Sequence, residues 1–335
     1  MNRTHPDANP TIIYPWVVER RERVTFGLLA FAHPRDPAPV ASVLAAGRLA
    51  DRLGLDAFYL GDHPARTTDP WTMLSALAVT TERVRLGTVV ACVLHRSPVL
   101  LARLASDLDH LSGGRLVLGL GSCWDAEELM ALGLPMPPIR ARQEMLAETV
   151  AILEGVWGDA PFDFAGRHYQ IRQAAIAPPV QRPRPPLMIA GAGPRVTLRQ
   201  VAELADAGNI GPGAGSVAVN TPDDARRAFD TLRQHCRDVG RPYDAILRTH
   251  YTPWLILAST EREAEAKLRR YYPAGLDAAQ RQSRICATPE QAVAYYQALA
   301  DAGAQHFVVQ SLDAADRETF QLLAAEVASR VRPRG

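Results

Sequence analysis

Short apolar, β-rich runs alternate with longer amphipathic stretches along this chain, and no other feature constrains its fold as strongly. The runs are Val24–Phe31, Ala57–Leu60, Val84–Val90, Leu116–Leu120, Leu187–Ala190, a weaker one at Gly208–Ile210, Thr249–Leu257 and His306–Gln310. Such alternation argues for parallel strands joined by helices. Eight βα units in one chain point to an α/β fold of the (β/α)8 TIM-barrel type rather than an open sheet. Helix punctuation agrees. Thr221 is placed as an N-cap, with Pro222 at the first helical position and Gly240 at the stop. Thr260 to Glu263 and Thr288 to Gln291 have the spacing of capping boxes, the second helix ending at Gly303.

Two segments exceed a minimal barrel. Residues 158–186 read as a β-hairpin followed by a proline-rich crossing, and residues 211–220 are too glycine-rich for regular structure. Excess loops of this kind are expected at the C-terminal face as lids or binding loops, and with the region from Tyr271 to Cys286 they would line a pocket. Residues 1–22 form a polar extension, expected as an arm or disordered, ahead of a single domain over 23–332. The chain has 335 residues, 47% hydrophobic and 22% charged, which is ample for a core. A formal net charge of +1 without long runs of like charge gives no footprint for nucleic acid or an acidic membrane. The expected partner is a small molecule. Lys267 is the only lysine, so cationic character rests on arginine throughout and no single arginine stands out. The N-terminus has no apolar signal region and no long apolar stretch follows, so the expected location is the cytoplasm. Cys92, Cys123, Cys236 and Cys286 include no CxxC pair, so free thiols are expected rather than disulfides or a zinc site.

Barrel active sites gather at the C-terminal ends of the strands. Here those positions hold His33 after the first run, Asp62 and His63 after the second, Cys92 and His95 after the third, and Ser122, Cys123 and Trp124 after the fourth. Asp62, His63 and Pro64 read as a compact proton-handling group, although Asp62 also fits a helix cap or an orienting role. His33 and His95 fit caps or surface residues as well as pocket residues. Trp124 can plug the mouth or stack on a planar ligand. Cys123 is a candidate nucleophile, but no histidine adjoins it in sequence and a small apolar filler is the favoured reading. Asp125, Glu127 and Glu128 read as the solvated first turn of a helix. There is no HExxH and no GxSxG, so no metal is expected and chemistry carried by an organic cofactor fits better. Gly191, Ala192, Gly193, Pro194 and Arg195 lie between the fifth strand and a helix, the arrangement of an anion cradle. The third glycine of a dinucleotide fingerprint is missing and no later strand ends in an acidic residue, which argues against a Rossmann site. A phosphate held at a barrel mouth remains.

In order, the segments "FYLGDH", "RVRLGTVVACVLHRSPVLLAR", "LDHLSGGRLVLGLGSCWDAEELMALGLP", "FAGRHYQI", "PPVQRPRPPLMIAGAGPRVTLRQVAELADAGN" and "CATPEQAVAYYQALADAGAQHFVVQ" resemble the luciferase-like monooxygenase superfamily from residue 24 to about 330. The run from Pro178 to Asn209, followed by "LRQHCRDVGRPYD", is similar to its F420-dependent oxidoreductases. The resemblance implies a barrel that uses coenzyme F420 or, alternatively, reduced FMN. It places His63 beside the reactive ring, in proton transfer or cofactor contact, with Asp62 as its neighbour. It implies a bulge and a non-proline cis peptide behind the ring near Val89 and Val90, Cys92 facing it, and Ser122 among the cofactor contacts. The loop from Gly191 to Arg195 would hold the cofactor's phosphate, with His33, His95 and Trp124 in the substrate pocket. A homodimer is implied, as is a flavin or F420 reductase as partner. Three departures stand out. Trp124 replaces the acidic residue of the family's sugar-phosphate dehydrogenases, whose substrate lysines are also lacking; "ICATPE" replaces a common glycine before "TPE"; and Cys123 stands where glycine is commoner. The expected activity is hydride transfer between F420 and a small organic substrate. The alternatives are an FMNH2-dependent monooxygenase using O2, a non-catalytic flavin-binding protein, and a metal-free lyase or isomerase.

Overall fold

Each of the eight apolar runs forms a strand: β1 (Thr25–Ala30), β2 (Ala57–Leu60), β3 (Arg85–Thr88), β4 (Leu116–Gly121), β5 (Leu187–Ala190), β6 (Ala207–Ile210), β7 (Leu247–Leu257) and β8 (His306–Ser311). The computed structural model describes residues 14–212 and 217–333. Neighbouring strands pair in parallel and in sequence order. The ring closes where Leu247 of β7 faces Ala207 of β6 and where His306 of β8 faces Thr25 of β1. A further short strand, Arg284–Ala287, extends the outer half of β7 beyond the barrel, pairing Trp254 with Arg284. Among the described residues no helix is long and apolar enough to cross a membrane.

Alternation along the strands sorts side chains into two cores. Leu29, Tyr59, Val117, Met188, Leu247 and Val308 fill the barrel interior, while residues such as Phe26, Leu74, Leu101 and Phe307 pack between the strands and the helices outside. Where β3 meets β4 the backbones almost touch. A Cβ on Gly119 would lie 2.0 Å from the Thr88 carbonyl, so only glycine fits, and Thr88 Oγ1 donates to the Gly119 carbonyl at 2.8 Å. Directly after this pinch the Val89–Val90 peptide is cis. The chain then rejoins β4 through Ala91 and Cys92, opposite Leu120 and Gly121.

Thr221 and Thr288 close reciprocal capping boxes with Asp224 and Gln291, and Gly240 and Gly303 stop their helices at positive φ. Thr260 likewise caps its helix by accepting from the Glu263 N–H. Residues 158–186 contain the expected hairpin, Phe162–Ala165 against Gln170–Ala174. It packs along the barrel flank. Glu148 accepts from the Arg167 and Tyr169 N–H groups, Ser106 donates to the Ala177 carbonyl, and the Tyr169 hydroxyl reaches the Val93 carbonyl near the mouth. Of the glycine-rich loop, residues 213–216 lie outside the described residues, as do residues 1–13 of the N-terminal extension.

The remainder of that extension is no arm. Tyr14, Trp16 and Val17 are buried and belong to the interior core, which they close from below. Arg20, 1% exposed, reaches the Trp16 carbonyl and the Asp56 carboxylate. An aromatic and apolar face within a polar segment produces this; composition averaged over the segment hides it. Above this floor, His306 hydrogen-bonds Thr25 Oγ1 at 2.8 Å and the Tyr59 hydroxyl at 3.1 Å. Burial pushes its pKa down from 6.5 to about 3, and burial likewise lowers that of His250 to about 4.

These depressed values set the sign of an acid response. As pH falls below about 6.5 the unfolded chain takes up protons that folded His250 and His306 refuse, so stability declines from there downward. In urea unfolding series, His250→Leu should flatten this decline by up to about 1.4 kcal/mol per pH unit between pH 6 and 4.5. An unchanged slope would show that His250 ionises normally in the fold.

Candidate active site

The C-terminal ends of β2, β3 and β4 bring their titratable residues together around Asp62. Its side chain has 0% exposure and accepts from Arg96 at 2.5 and 3.1 Å and from the Cys92 N–H at 3.2 Å; His95 Nδ1 lies 3.4 Å away. Burial raises a carboxyl pKa, but the hydrogen bonds and charges of His95 and Arg96 outweigh it and hold Asp62 below the usual range. Asp62 is therefore an ionised clamp tying the β2 turn to the loop after β3. It forms no couple with His63.

His63 turns the other way. Its Nδ1 lies 2.7 Å from Glu128 Oε2, and the second Glu128 oxygen accepts the Ala65 N–H at 3.2 Å. Glu128 is 1% exposed while His63 is 28% exposed, so a buried carboxylate orients a ring whose other nitrogen has no hydrogen-bond partner among the described residues. Helix Ala126–Ala131 presents Glu128 inward. Asp125 caps that helix by accepting the Glu128 N–H and is itself paired with Arg66 at 2.8 Å. Of the three carboxylates read as solvated, only Glu127 is so, at 92% exposed. The signal for Glu128 was weak: it shares an inner helix face with Asp125, three residues before it. Trp124, 53% exposed, stands edge-on to His63 with ring centroids 6.1 Å apart.

Cys123 does have a histidine beside it, brought from the neighbouring loop. The ligating atoms of Cys92, His95 and Cys123 all lie within 4.8 Å of one another, and Cys123 has φ of 65°. The Cys92 thiol and His95 draw the Cys123 pKa down to about 5 despite burial. Burial opposes ionisation of His95, yet Asp62 and Cys123 raise it to about 9. Cys92 moves upward under Cys123 and burial. The atoms of His63, Asp125 and Glu128 are equally close, so each trio has the compactness of a metal site.

Ser122 closes this side of the mouth. Its hydroxyl accepts from Gln143 Nε2 at 3.1 Å, and Arg142 donates to the Ser122 and Cys123 carbonyls. Val89 and Val90 line the interior beneath. After β1, His33 faces Tyr271 with centroids 5.5 Å apart, Tyr271 donates to Asp313 at 3.3 Å, and Trp254 packs on Phe31.

The loop after β5 curls tightly into helix Thr197–Leu204. A Cβ on Gly193 would lie 2.8 Å from Thr197 Oγ1, and Gly191 has φ of 128°. The Gly191 N–H donates to the Asn209 carbonyl at 2.9 Å. Among the described residues, the N–H groups of Ala192, Gly193 and Arg195 have no protein acceptor. Pro194 offers no donor; its carbonyl accepts from His235. Donors without acceptors at the start of a helix suit an anion. A cleft of about 340 Å³ opens at the opposite end of the barrel, lined by Arg20, Arg233, Tyr243 and Arg248. Its guanidinium groups are already engaged, Arg233 with Asp230 and Arg248 with the Gly303 carbonyl.

Comparison with known proteins agrees with this architecture. The family model for luciferase-like monooxygenases matches residues 24–327. A pyrimidine monooxygenase of Acinetobacter baylyi is 32% identical over 63% of this chain and 54% of its own length. An F420-dependent glucose-6-phosphate dehydrogenase of Amycolatopsis mediterranei is 26% identical over 77% of this chain and 85% of its own. Among solved structures, the F420-dependent tetrahydromethanopterin reductase of Methanopyrus kandleri superposes with a TM-score of 0.77 at 19% identity, covering 92% of this chain and all of that one. An FMN complex of the oxygenating constituent of 3,6-diketocamphane monooxygenase from Pseudomonas putida gives 0.73 at 16%, covering 93% and 99%.

The clamp makes a direct prediction. Asp62→Asn leaves Arg96 buried without its counter-charge and should lower unfolding free energy by about 3 kcal/mol in urea titrations. A variant as stable as the parent would show that Asp62 does not hold the rim together.

Proposed function

The chain belongs to the luciferase-like monooxygenase family, and from that premise we propose that it is an F420-dependent oxidoreductase moving a hydride between the deazaflavin and a small organic substrate. The observation that carries this reading is the His63–Glu128 couple at 2.7 Å on the strand-end face. When bound, F420 supplies a two-electron hydride centre. Such chemistry on an alcohol or carbonyl also moves one proton, and the protein has to provide for it.

The residues fit that group. The Gly191 to Arg195 loop offers unpaired N–H donors for a phosphate, and its glycines leave no room for side chains. Val89 and Val90 form the wall against which a planar ring would rest, with Cys92 beside them. His63 takes the proton from a substrate hydroxyl, or returns it, at the ring nitrogen not held by Glu128. The buried Glu128 side chain orients the ring and fixes its tautomer. His33, His95 and Trp124 are proposed to shape the substrate pocket, and Asp62 keeps the turn in place. The reading includes a cytoplasmic homodimer, with a reductase regenerating the cofactor.

An FMNH2-dependent monooxygenase is the second reading, favoured by the likeness to the pyrimidine monooxygenase and the FMN-bound barrel. It needs a site that shields reduced flavin from water. Here His63 is 28% and Trp124 53% exposed, an openness that hydride transfer tolerates better. Since the named relatives are catalysts, the non-catalytic alternative finds no support.

His63→Ala should lower kcat with F420 by about 10²- to 10⁴-fold while changing cofactor Kd only a few-fold. Equal losses in both would remove His63 from the proton path. Turnover should also be the same with and without oxygen; product formation that consumes O2 would favour the flavin reading.

A further inference from the structure

We propose that Cys92, His95 and Cys123 bind a zinc-class divalent cation at the barrel mouth, with Asp62 as the outer partner of His95. Two cysteines and one histidine form a ligand set that borderline-soft cations prefer, and three protein ligands leave a fourth tetrahedral position open. The three ligating atoms lie within 4.8 Å of one another. Tetrahedral bonds of about 2.3 Å to sulfur and about 2.0 Å to nitrogen bring ligand atoms to about 3.5–3.8 Å. Side-chain rotation over about an ångström closes that gap.

His95 supplies the independent observation. Its side chain is 3% exposed, and neither ring nitrogen makes a well-formed hydrogen bond among the described residues. The polar groups beside this buried imidazole are the Asp62 carboxylate and the Cys123 thiol. The Asp62 carboxylate stands 3.4 Å from Nδ1, the arrangement in which a carboxylate fixes a histidine so that its other nitrogen ligates a metal. Asp62 is itself neutralised by Arg96, so two thiolates are left to balance a dication.

Backbone geometry points the same way. Cys123 occupies φ of 65°, a region that favours glycine, and holds its sulfur toward Cys92 at a cost of order 1 kcal/mol. A disulfide would use the two sulfurs but leave His95 with the Asp62 carboxylate alone. The open fourth position faces the mouth, where water or a substrate oxygen would complete the shell. Sequence spacing hides the site because Cys92 and His95 lie after one strand and Cys123 after the next.

The test is cobalt titration of EDTA-treated, reduced full-length protein, read by absorption. The expected result is a thiolate-to-cobalt charge-transfer band that saturates at one equivalent and is displaced by zinc. Cys123→Gly, which suits the backbone conformation and so keeps the fold, should lose the band. Cys286→Ser should retain it. The proposal is overturned if no such band forms, if it survives Cys123→Gly, if cobalt binds without thiolate absorption, or if the reduced protein reoxidises to a Cys92–Cys123 disulfide in the presence of zinc. None of these readouts involves F420, FMN or turnover, so the outcome is independent of the proposed activity.

Discussion

A carboxylate with no exposure to water must be neutralised or held by opposite charge, and Asp62 takes the second course. Its bidentate pairing with Arg96 joins the turn after β2 to the loop after β3, and Arg96 in turn lies over the Trp71 ring at 5.7 Å. With that clamp closed, His63 has only the Glu128 side to face, and the main chain at Cys92 is held by its N–H. The geometry of the mouth follows from this buried ion pair. An interaction placed there for structure thereby sets where the reactive groups stand.

The barrel divides stability from chemistry along its axis. At the floor, Trp16, Arg20, Asp56 and His306 form a buried network at the strand starts. At the mouth, polar groups stay partly exposed and several carry shifted protonation equilibria. Between the two, Gly119 against the Thr88 carbonyl draws β3 and β4 together before the chain bulges at Val89 and Val90. The mouth itself has acid–base and thiol groups from β2 to β4, and an aromatic cluster of Phe31, Trp254 and Tyr271 that begins at the neighbouring β1.

Much of the architecture was legible in the chain because it depends on local pattern. Apolar runs mark strands whose two faces are both buried, and Thr221 and Thr288 mark helix starts by their own hydrogen bonds. What escaped depends on contacts between segments far apart in sequence. Glu128 reads as a solvated helix residue until His63 is set against it from 65 positions away. His95 reaches Cys123 only because adjacent strands end side by side. Trp16 reads as part of a polar tail because the barrel floor it fills is assembled from distant strands. The short strand Arg284–Ala287 lacked an apolar run of its own and forms on the protruding edge of β7.

The central claim is that the mouth, with the Gly191 loop as phosphate anchor, holds a deazaflavin. Anaerobic fluorescence titration of the full-length protein with F420, and separately with oxidised and reduced FMN, tests it most directly. Saturable binding of F420, weak binding of either FMN form, and a loss of at least about tenfold in F420 affinity when Gly193→Val forces a side chain against Thr197 are expected. Preference for reduced FMN, or F420 binding indifferent to Gly193→Val, would contradict it.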